Sequence, residues 1–244
     1  MRFPTFQDVA AFYADPTISA AQKHAVIYQE FGVAVHQLPD IVSLFQKTDG
    51  FGELPFCWHW YLAVQQAPAS FRFLEVGVYK GRVLAVMQAL ANHFKKEATL
   101  VGVTPLSGDG DKYSGYEPVD YFAAIQRAFS QSGLSFGNTQ LIKGFSQDPI
   151  TVMEAEKQGL YDIVYIDGCH DYPVVVQDIQ NYIPMLKVGG LFVMDDASLF
   201  LEAPAGQFKG HPDVGAAIRD VLDNRADMEH VYAVGHNRVW RKKE

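Results

Sequence analysis

The 244-residue sequence predicts an α/β protein with a doubly wound, mostly parallel sheet of seven strands that ends in an antiparallel hairpin, preceded by a helical extension. Three observations carry this expectation. From residue 71 onward, short apolar runs alternate with segments of helical period, as in a parallel sheet covered on both faces. The final stretch HVYAVGHNRVWRKK (230–243) reads instead as two strands joined through Gly235-His236-Asn237. Residues 1–66 contain no convincing strand.

The helical extension is legible in pieces. SAAQKHAVIYQEF (19–31) places Ile27, Tyr28 and Phe31 on one helical face, and DIVSLFQ (40–46) opens with Asp40 as a cap. CWHWYLAV (57–64) continues it, and Pro68 marks a boundary, so the chain divides into an extension (1–66) and an α/β domain (67–244). The five parallel strands are expected at FRFLEVG, TLVGVT, TQLIKG, DIVYIDG and LFVMDD. In GRVLAVMQALANHF, Val83, Met87, Leu90 and Phe94 form one helical face, and further helices are expected near 118–131, 148–157, 173–186 and 212–223.

Composition narrows the function. A chain with 48% hydrophobic residues buries one large core. A formal charge of −8, with no basic block besides Arg241, Lys242 and Lys243, argues against nucleic acid or an anionic membrane as the main partner. Two distant cysteines, Cys57 and Cys169, are too few for a disulfide framework and suit a reducing compartment. MRFPTFQDVAAFYADP lacks the apolar core of a secretory signal, and no run approaches the ~20 apolar residues of a membrane span. A cytoplasmic protein is expected.

In such a sheet ligands gather where the strands end. The first strand stops at Glu75-Val-Gly77-Val-Tyr-Lys-Gly81, whose glycines let a ligand approach a helix N-terminus. The middle glycine of the dinucleotide fingerprint is missing, which argues against NAD. Glu75 lies inside an apolar strand, where a carboxylate is costly unless it serves a polar network.

FLEVGVYKG resembles the first motif of the class I S-adenosylmethionine-dependent methyltransferases, an acidic residue followed by Gly-x-x-x-Gly or a close variant. The resemblance implies a Rossmann-like domain whose turn, with Glu75, Gly77 and Gly81, passes under the methionine part of the cofactor. That family usually ends its second strand on an acidic residue that holds the ribose hydroxyls. Thr104 stands there instead, leaving Asp109 or Asp111 of the following SGDGDKYSG loop to substitute, although such a loop is also ordinary solvated chain. Gly144-Phe-Ser146-Gln147 resembles the adenine-facing segment of the catechol O-methyltransferase branch; Ser146 equally suits a helix N-cap, and the two roles are compatible.

The fourth strand runs to Asp167 and the fifth to the adjacent pair Asp195-Asp196. Neighbouring strands lie about 4.8 Å apart, so three carboxylates would crowd one space. Protons or a cation must neutralise them, and an all-oxygen cluster suits Mg²⁺. The alternative is that Asp196 caps the next segment while Asp195 merely faces the cofactor. Metal-dependent O-methyltransferases acting on catechols and macrolide sugars carry Asp at the first position and Asp-Asp or Asp-Asn at the second. This resemblance, which covers residues 70–243, assigns Asp167, Asp195 and Asp196 as ligands, with Asp167 also facing the cofactor.

His170 stands where the catechol-acting branch carries a lysine base, and an imidazole of ordinary pKa about 6.5 suits that work. Asp167 is the alternative proton acceptor. The other histidines, including His59 and His211, read as structural or surface residues. Residues 198–212 form a long Gly- and Pro-hinged connection of the kind used as a lid. With Trp58 and Trp60 it would enclose the acceptor, although a subunit interface in a homo-oligomer accounts for those aromatics equally well. The sum is a Mg²⁺-assisted methyl transfer from S-adenosylmethionine to a hydroxyl of a small molecule, a sugar or natural product. The competitors are a metal-independent methyltransferase and a noncatalytic binding module, the latter favoured by Thr104.

Overall fold

The computed structural model describes residues 2–203 and 206–244. Its seven strands form one sheet in the order β3-β2-β1-β4-β5-β7-β6. They are β1 (Ser70–Val76), β2 (Glu97–Thr104), β3 (Thr139–Lys143), β4 (Tyr161–Ile166), β5 (Leu186–Met194), β6 (Met228–Val234) and β7 (Asn237–Lys242). The first five are parallel, and β7 runs antiparallel to both β5 and β6. The strand order reverses between β1 and β4, and a crevice opens at such a point beyond the carboxyl ends of the strands.

Alternation along the strands distributes the core. Phe71 and Phe73 face one way, with α5 (Arg82–His93), and Leu74 and Val76 face the other, with α8 (Tyr172–Tyr182). The four N-terminal helices α1 (Phe6–Ala14), α2 (Ala20–Ala34), α3 (Pro39–Lys47) and α4 (Leu54–Gln66) join the first face. Capping boxes at Thr5/Asp8 and Ser19/Gln22 start α1 and α2. From α2, His24, Ile27, Phe31 and Ala34 form the buried stripe, with Phe31 packed 6.1 Å from Tyr232. Burying an aromatic of this size contributes roughly 1.5–3 kcal/mol. Tyr28, expected on that stripe, is half-buried and turns its hydroxyl to Glu53.

Several local expectations need correction. Leu38 rather than Asp40 occupies the N-cap of α3, because Pro39 takes the first helical position and moves Asp40 into the first turn. Trp58 and Trp60 are core residues: the Trp58 indole donates to the Phe3 carbonyl, and Trp60 packs edge-on against Tyr165 at 5.0 Å. Buried within the chain, these side chains present no subunit surface, and Trp60 borders only a small cavity of about 30 Å³ beneath Asp167 and Asp195. The expected helix 173–186 ends at Tyr182, since Pro184 cannot continue it, and β5 begins at Leu186. The expected 212–223 helix divides into α9 (Pro212–Ala217) and a π-helical turn, Ile218–Leu222. The remaining helices are α6 (Tyr121–Ser130) and α7 (Pro149–Lys157). Of the lid expected at 198–212, residues 204 and 205 lie outside the described residues. Among the described residues, no helix is long and apolar enough to cross a membrane.

Candidate active site

Gly77 leaves β1 with φ +100, and its amide donates to the Val103 carbonyl. A Cβ here would lie 2.0 Å from the Asp167 carbonyl oxygen, because the exit of β4 passes directly over the turn. Glycine is therefore required by the approach of a neighbouring strand end. Gly81, with φ +81, precedes α5, and a Cβ there would meet Ile125 of α6 at 2.9 Å. Its absent side chain serves helix packing, and Gly81 does not line the cavity above the turn.

That cavity, about 310 Å³, is bounded by Gly77, Thr104, Asp109, Tyr116, Ser146, Gln147 and Asp167, among others. The Thr104 hydroxyl oxygen accepts from the Leu106 amide at 3.1 Å. Ser146 is not a helix cap: Asp148 holds that position on α7, and the Ser146 side chain stays on the cavity wall. No Lys or Arg lines the cavity among the described residues, whereas Asp109, Asp111, Asp167 and Asp171 do. A wall of that sign is unsuited to a phosphate-bearing cofactor and suits one carrying positive charge. Glu75 lies below this wall, facing the Leu84 amide in the first turn of α5; burial, with a small contribution from Asp195, pushes its carboxyl up to about 8.

Sheet register brings the acidic residues together. The Asp167 amide donates to Val76 and the Asp195 amide to Ile166, so both leave adjacent strands at one level. Burial, then Asp195, Asp196 and Glu75, raise the Asp167 carboxyl well above its ordinary range. Burial also raises Asp195, against the influence of His236. Asp196 adopts φ +51, a left-handed conformation that costs a non-glycine residue about 1–2 kcal/mol. Two distant segments hold it there: the His211 amide donates to the Asp196 carbonyl at 3.2 Å, and the Ala197 amide to the His236 carbonyl at 2.8 Å.

Three histidines, not one, surround these carboxylates. His170 places Nε2 3.1 Å from Asp196 and Nδ1 2.8 Å from Asp111. Burial alone would lower its pKa, but the two carboxylates outweigh that and hold it above 6.5. Asp111, a candidate for the ribose, is thus committed to the His170 ring and to the amides of His170, Tyr113 and Ser114. His211, read from the sequence as structural or surface, lies with Nε2 3.4 Å from Asp196 and stacks on Tyr113 at 4.4 Å. His236, in the hairpin turn, reaches within 3.4 Å of Asp195. His59 is the structural residue expected, buried with Nδ1 2.7 Å from the Tyr232 hydroxyl.

Two sets of donor atoms each fall within 4.8 Å of one another: His170, Asp196 and His211, and Asp195, Asp196 and His236. A second cavity of about 330 Å³ opens over them, walled by Phe51, Glu53, Phe208 and the three histidines. It shares Tyr116 and Asp167 with the first cavity, so a ligand in each would meet across those two residues. No Lys or Arg lines it among the described residues.

A family model described as a methyltransferase domain matches residues 74–197, half of the chain. The chain belongs to this methyltransferase family. Its glycine turn, β4 exit and acidic pair all fall inside the matched span. An uncharacterized protein of Acanthamoeba polyphaga mimivirus is 27% identical over 176 residues, 71% of this chain and 63% of that relative, so the chain spans less than two thirds of the relative's length. Among solved structures, CalS11, a TDP-rhamnose 3'-O-methyltransferase of calicheamicin biosynthesis, is 17% identical with a TM-score of 0.53, covering 97% of this chain and 92% of that one. A Podospora anserina methyltransferase bound to S-adenosylhomocysteine is 16% identical with a TM-score of 0.57, covering 85% and 87%. The mycinamycin methyltransferase MycE, bound to Mg and S-adenosylhomocysteine, is 16% identical with a TM-score of 0.52, covering 84% and 54%. These likenesses establish a class I methyltransferase fold for the chain.

Proposed function

We propose that the protein transfers a methyl group from S-adenosylmethionine to a hydroxyl of a small, uncharged or basic acceptor, a sugar or natural product, with a divalent cation at the carboxylates. The observation that carries this reading is the junction of two cavities at Asp167 and Tyr116, both free of Lys and Arg among the described residues. Family membership supplies the cofactor class, and the acidic wall with its glycine turn fits a sulfonium cation. The first cavity would hold the cofactor through Gly77, Thr104, Ser146, Gln147 and Asp167, with Glu75 and Gly81 supporting the turn from below. Bound there, it supplies an electrophilic methyl group.

Asp195 and Asp196 fit a cation because donor atoms of both fall within 4.8 Å of one another and of a histidine nitrogen, and among the described residues Asp195 Oδ1 has no hydrogen-bond partner; Asp167, buried at the neighbouring strand end, would add a third carboxylate. A bound divalent ion, Mg²⁺ in the simplest case, supplies charge that acidifies the acceptor hydroxyl. His170 then takes the proton at Nε2, while Asp111 on Nδ1 fixes the ring and stabilises the imidazolium. Phe51 and Phe208 offer apolar faces to the acceptor, and both are at least half exposed.

Calorimetry with S-adenosylhomocysteine, followed by label transfer from methyl-labelled cofactor to a panel of hydroxyl compounds with and without chelator, tests the proposal. Cofactor binding with chelator-sensitive transfer is expected. Folded protein that binds no cofactor well above micromolar concentration overturns the cofactor assignment, and full turnover after chelation overturns the cation's role.

A further inference from the structure

His236 is more than nine-tenths buried, and among the described residues its Nδ1 has no hydrogen-bond partner while its Nε2 turns to the second cavity and to Asp195. A buried imidazole nitrogen without a partner forfeits the hydrogen bond it made to water, so the placement of this ring calls for a ligand that fixes it. Its surroundings are built. The Phe56 ring stands edge-on at 4.7 Å and the Phe208 ring lies at 5.2 Å, so the imidazole has little freedom to turn. His24 bonds the Gly235 carbonyl at 2.6 Å, and a Cβ on Gly235 would meet Phe56 at 2.8 Å, so the N-terminal helices clamp the turn that carries His236.

The two ring nitrogens point to two different carboxylates. Nε2 lies 3.4 Å from Asp195 Oδ1, itself unpartnered among the described residues, and one donor atom each from Asp195, Asp196 and His236 falls within 4.8 Å of the others. Donors bound to one ion at about 2.1 Å stand about 3.0–3.4 Å apart in octahedral or tetrahedral arrangements, and the 3.4 Å between Nε2 and Oδ1 falls in that range. Nδ1 faces Glu53 Oε1 at 4.0 Å, and Glu53 is in turn held by the Tyr28 hydroxyl. A carboxylate behind the far nitrogen is the arrangement that orients metal-binding histidines and fixes their tautomer.

We propose that His236 binds the cation together with Asp195 and Asp196, with Glu53 as its backing carboxylate, and that the site therefore selects an imidazole-accepting transition ion such as Fe²⁺ or Zn²⁺ over Mg²⁺. Mg²⁺ takes hard oxygen donors, whereas imidazole favours the later divalent ions. This rests on the proposal that a cation binds at these carboxylates and goes beyond it in naming a nitrogen donor. The N-terminal helices then help to assemble the metal site, since Tyr28 and Phe56 lie on α2 and α4 and Glu53 is the N-cap of α4.

The test is pulsed electron paramagnetic resonance on the full chain loaded with Mn²⁺ as a paramagnetic probe, alongside calorimetry with Zn²⁺ and Mg²⁺. Nitrogen coupling to Mn²⁺ is expected, with one coupling lost in His236→Gln. Zn²⁺ affinity should fall at least about tenfold in that variant while Mg²⁺ affinity barely moves. Glu53→Gln leaves the ring in place and should weaken Zn²⁺ by about 10–100-fold, so it decides the matter where His236→Gln does not fold. Mn²⁺ held through oxygen alone, coupling unchanged in His236→Gln, or Zn²⁺ affinity unchanged in Glu53→Gln each overturns the nitrogen donor and leaves a carboxylate-bound cation standing. Failure to bind Mn²⁺, Zn²⁺ and Mg²⁺ alike overturns both.

Discussion

Replacing Glu75 with glutamine should make the protein more stable at neutral pH, by an amount that the burial of its carboxyl sets. In the unfolded chain Glu75 loses its proton near 4.5, but in the folded protein burial pushes that value up to about 8. Below pH 4.5 the residue is protonated in both states and stability is unaffected. Between pH 4.5 and 8 unfolding releases a proton that the folded state retains, so stability falls as pH rises, and above pH 8 the loss is constant. At about 1.4 kcal/mol per pH unit, the loss reaches about 3 kcal/mol at pH 7. The Glu75→Gln variant would keep the side chain's shape and an oxygen for the Leu84 amide while carrying no charge there. In a chain of this size, 3 kcal/mol corresponds to roughly 6–12 °C in Tm. Urea unfolding of both proteins from pH 4.5 to 8 isolates the effect, because the other buried acids contribute to both curves. The two curves should diverge as pH rises. A constant difference across that range would refute the reasoning and mean that Glu75 is ionised in the folded protein.

Gly77→Ala should abolish S-adenosylhomocysteine binding in calorimetry and lower Tm, since positive φ alone costs about 1–3 kcal/mol and the added carbon would lie 2.0 Å from backbone oxygen; binding at wild-type affinity would contradict it. His170→Ala should cut kcat by about 10²–10⁴-fold with cofactor affinity nearly unchanged. Because Asp196 and Asp111 hold the His170 imidazolium above 6.5, kcat/KM should rise as pH increases through that raised value, and Asp111→Asn should move the limb to lower pH. An acid limb that stays in place in Asp111→Asn would remove the pair from proton transfer. Dopamine, 4-ethylcatechol and 3,4-dihydroxyhydrocinnamate, alike in size and differing in charge, should bind the second cavity with the anion weakest by about tenfold; equal affinity for the anion would show that the acidic wall does not select the acceptor.

The alternation of apolar runs with helical periods determines the parallel strands and their order along the chain, because pleat and helix repeats are local properties of the backbone. Where each run stops is local too, so Gly77, Asp167 and the Asp195-Asp196 pair were legible as residues at strand ends. Their meeting followed from one further inference, that β4 and β5 are neighbours. Other assignments depended on partners remote in the chain. Asp111 and His170 are 59 positions apart and share a hydrogen bond, which took Asp111 away from the ribose reading. His211 reaches Asp196 only because the chain after β5 returns through the Ala197–Gly210 bridge. His236 looked like one of three turn residues, and only the antiparallel insertion of β7 beside β5 carries its ring to Asp195. Tryptophan-rich α4 shows no local sign of which face is covered, since α2 covers one side and the sheet the other. Local periodicity specifies elements and their ends, while a site assembled from the loops after all five parallel strands and from the β6–β7 turn depends on how the sheet is ordered and on which distant side chains that order brings within a few ångströms.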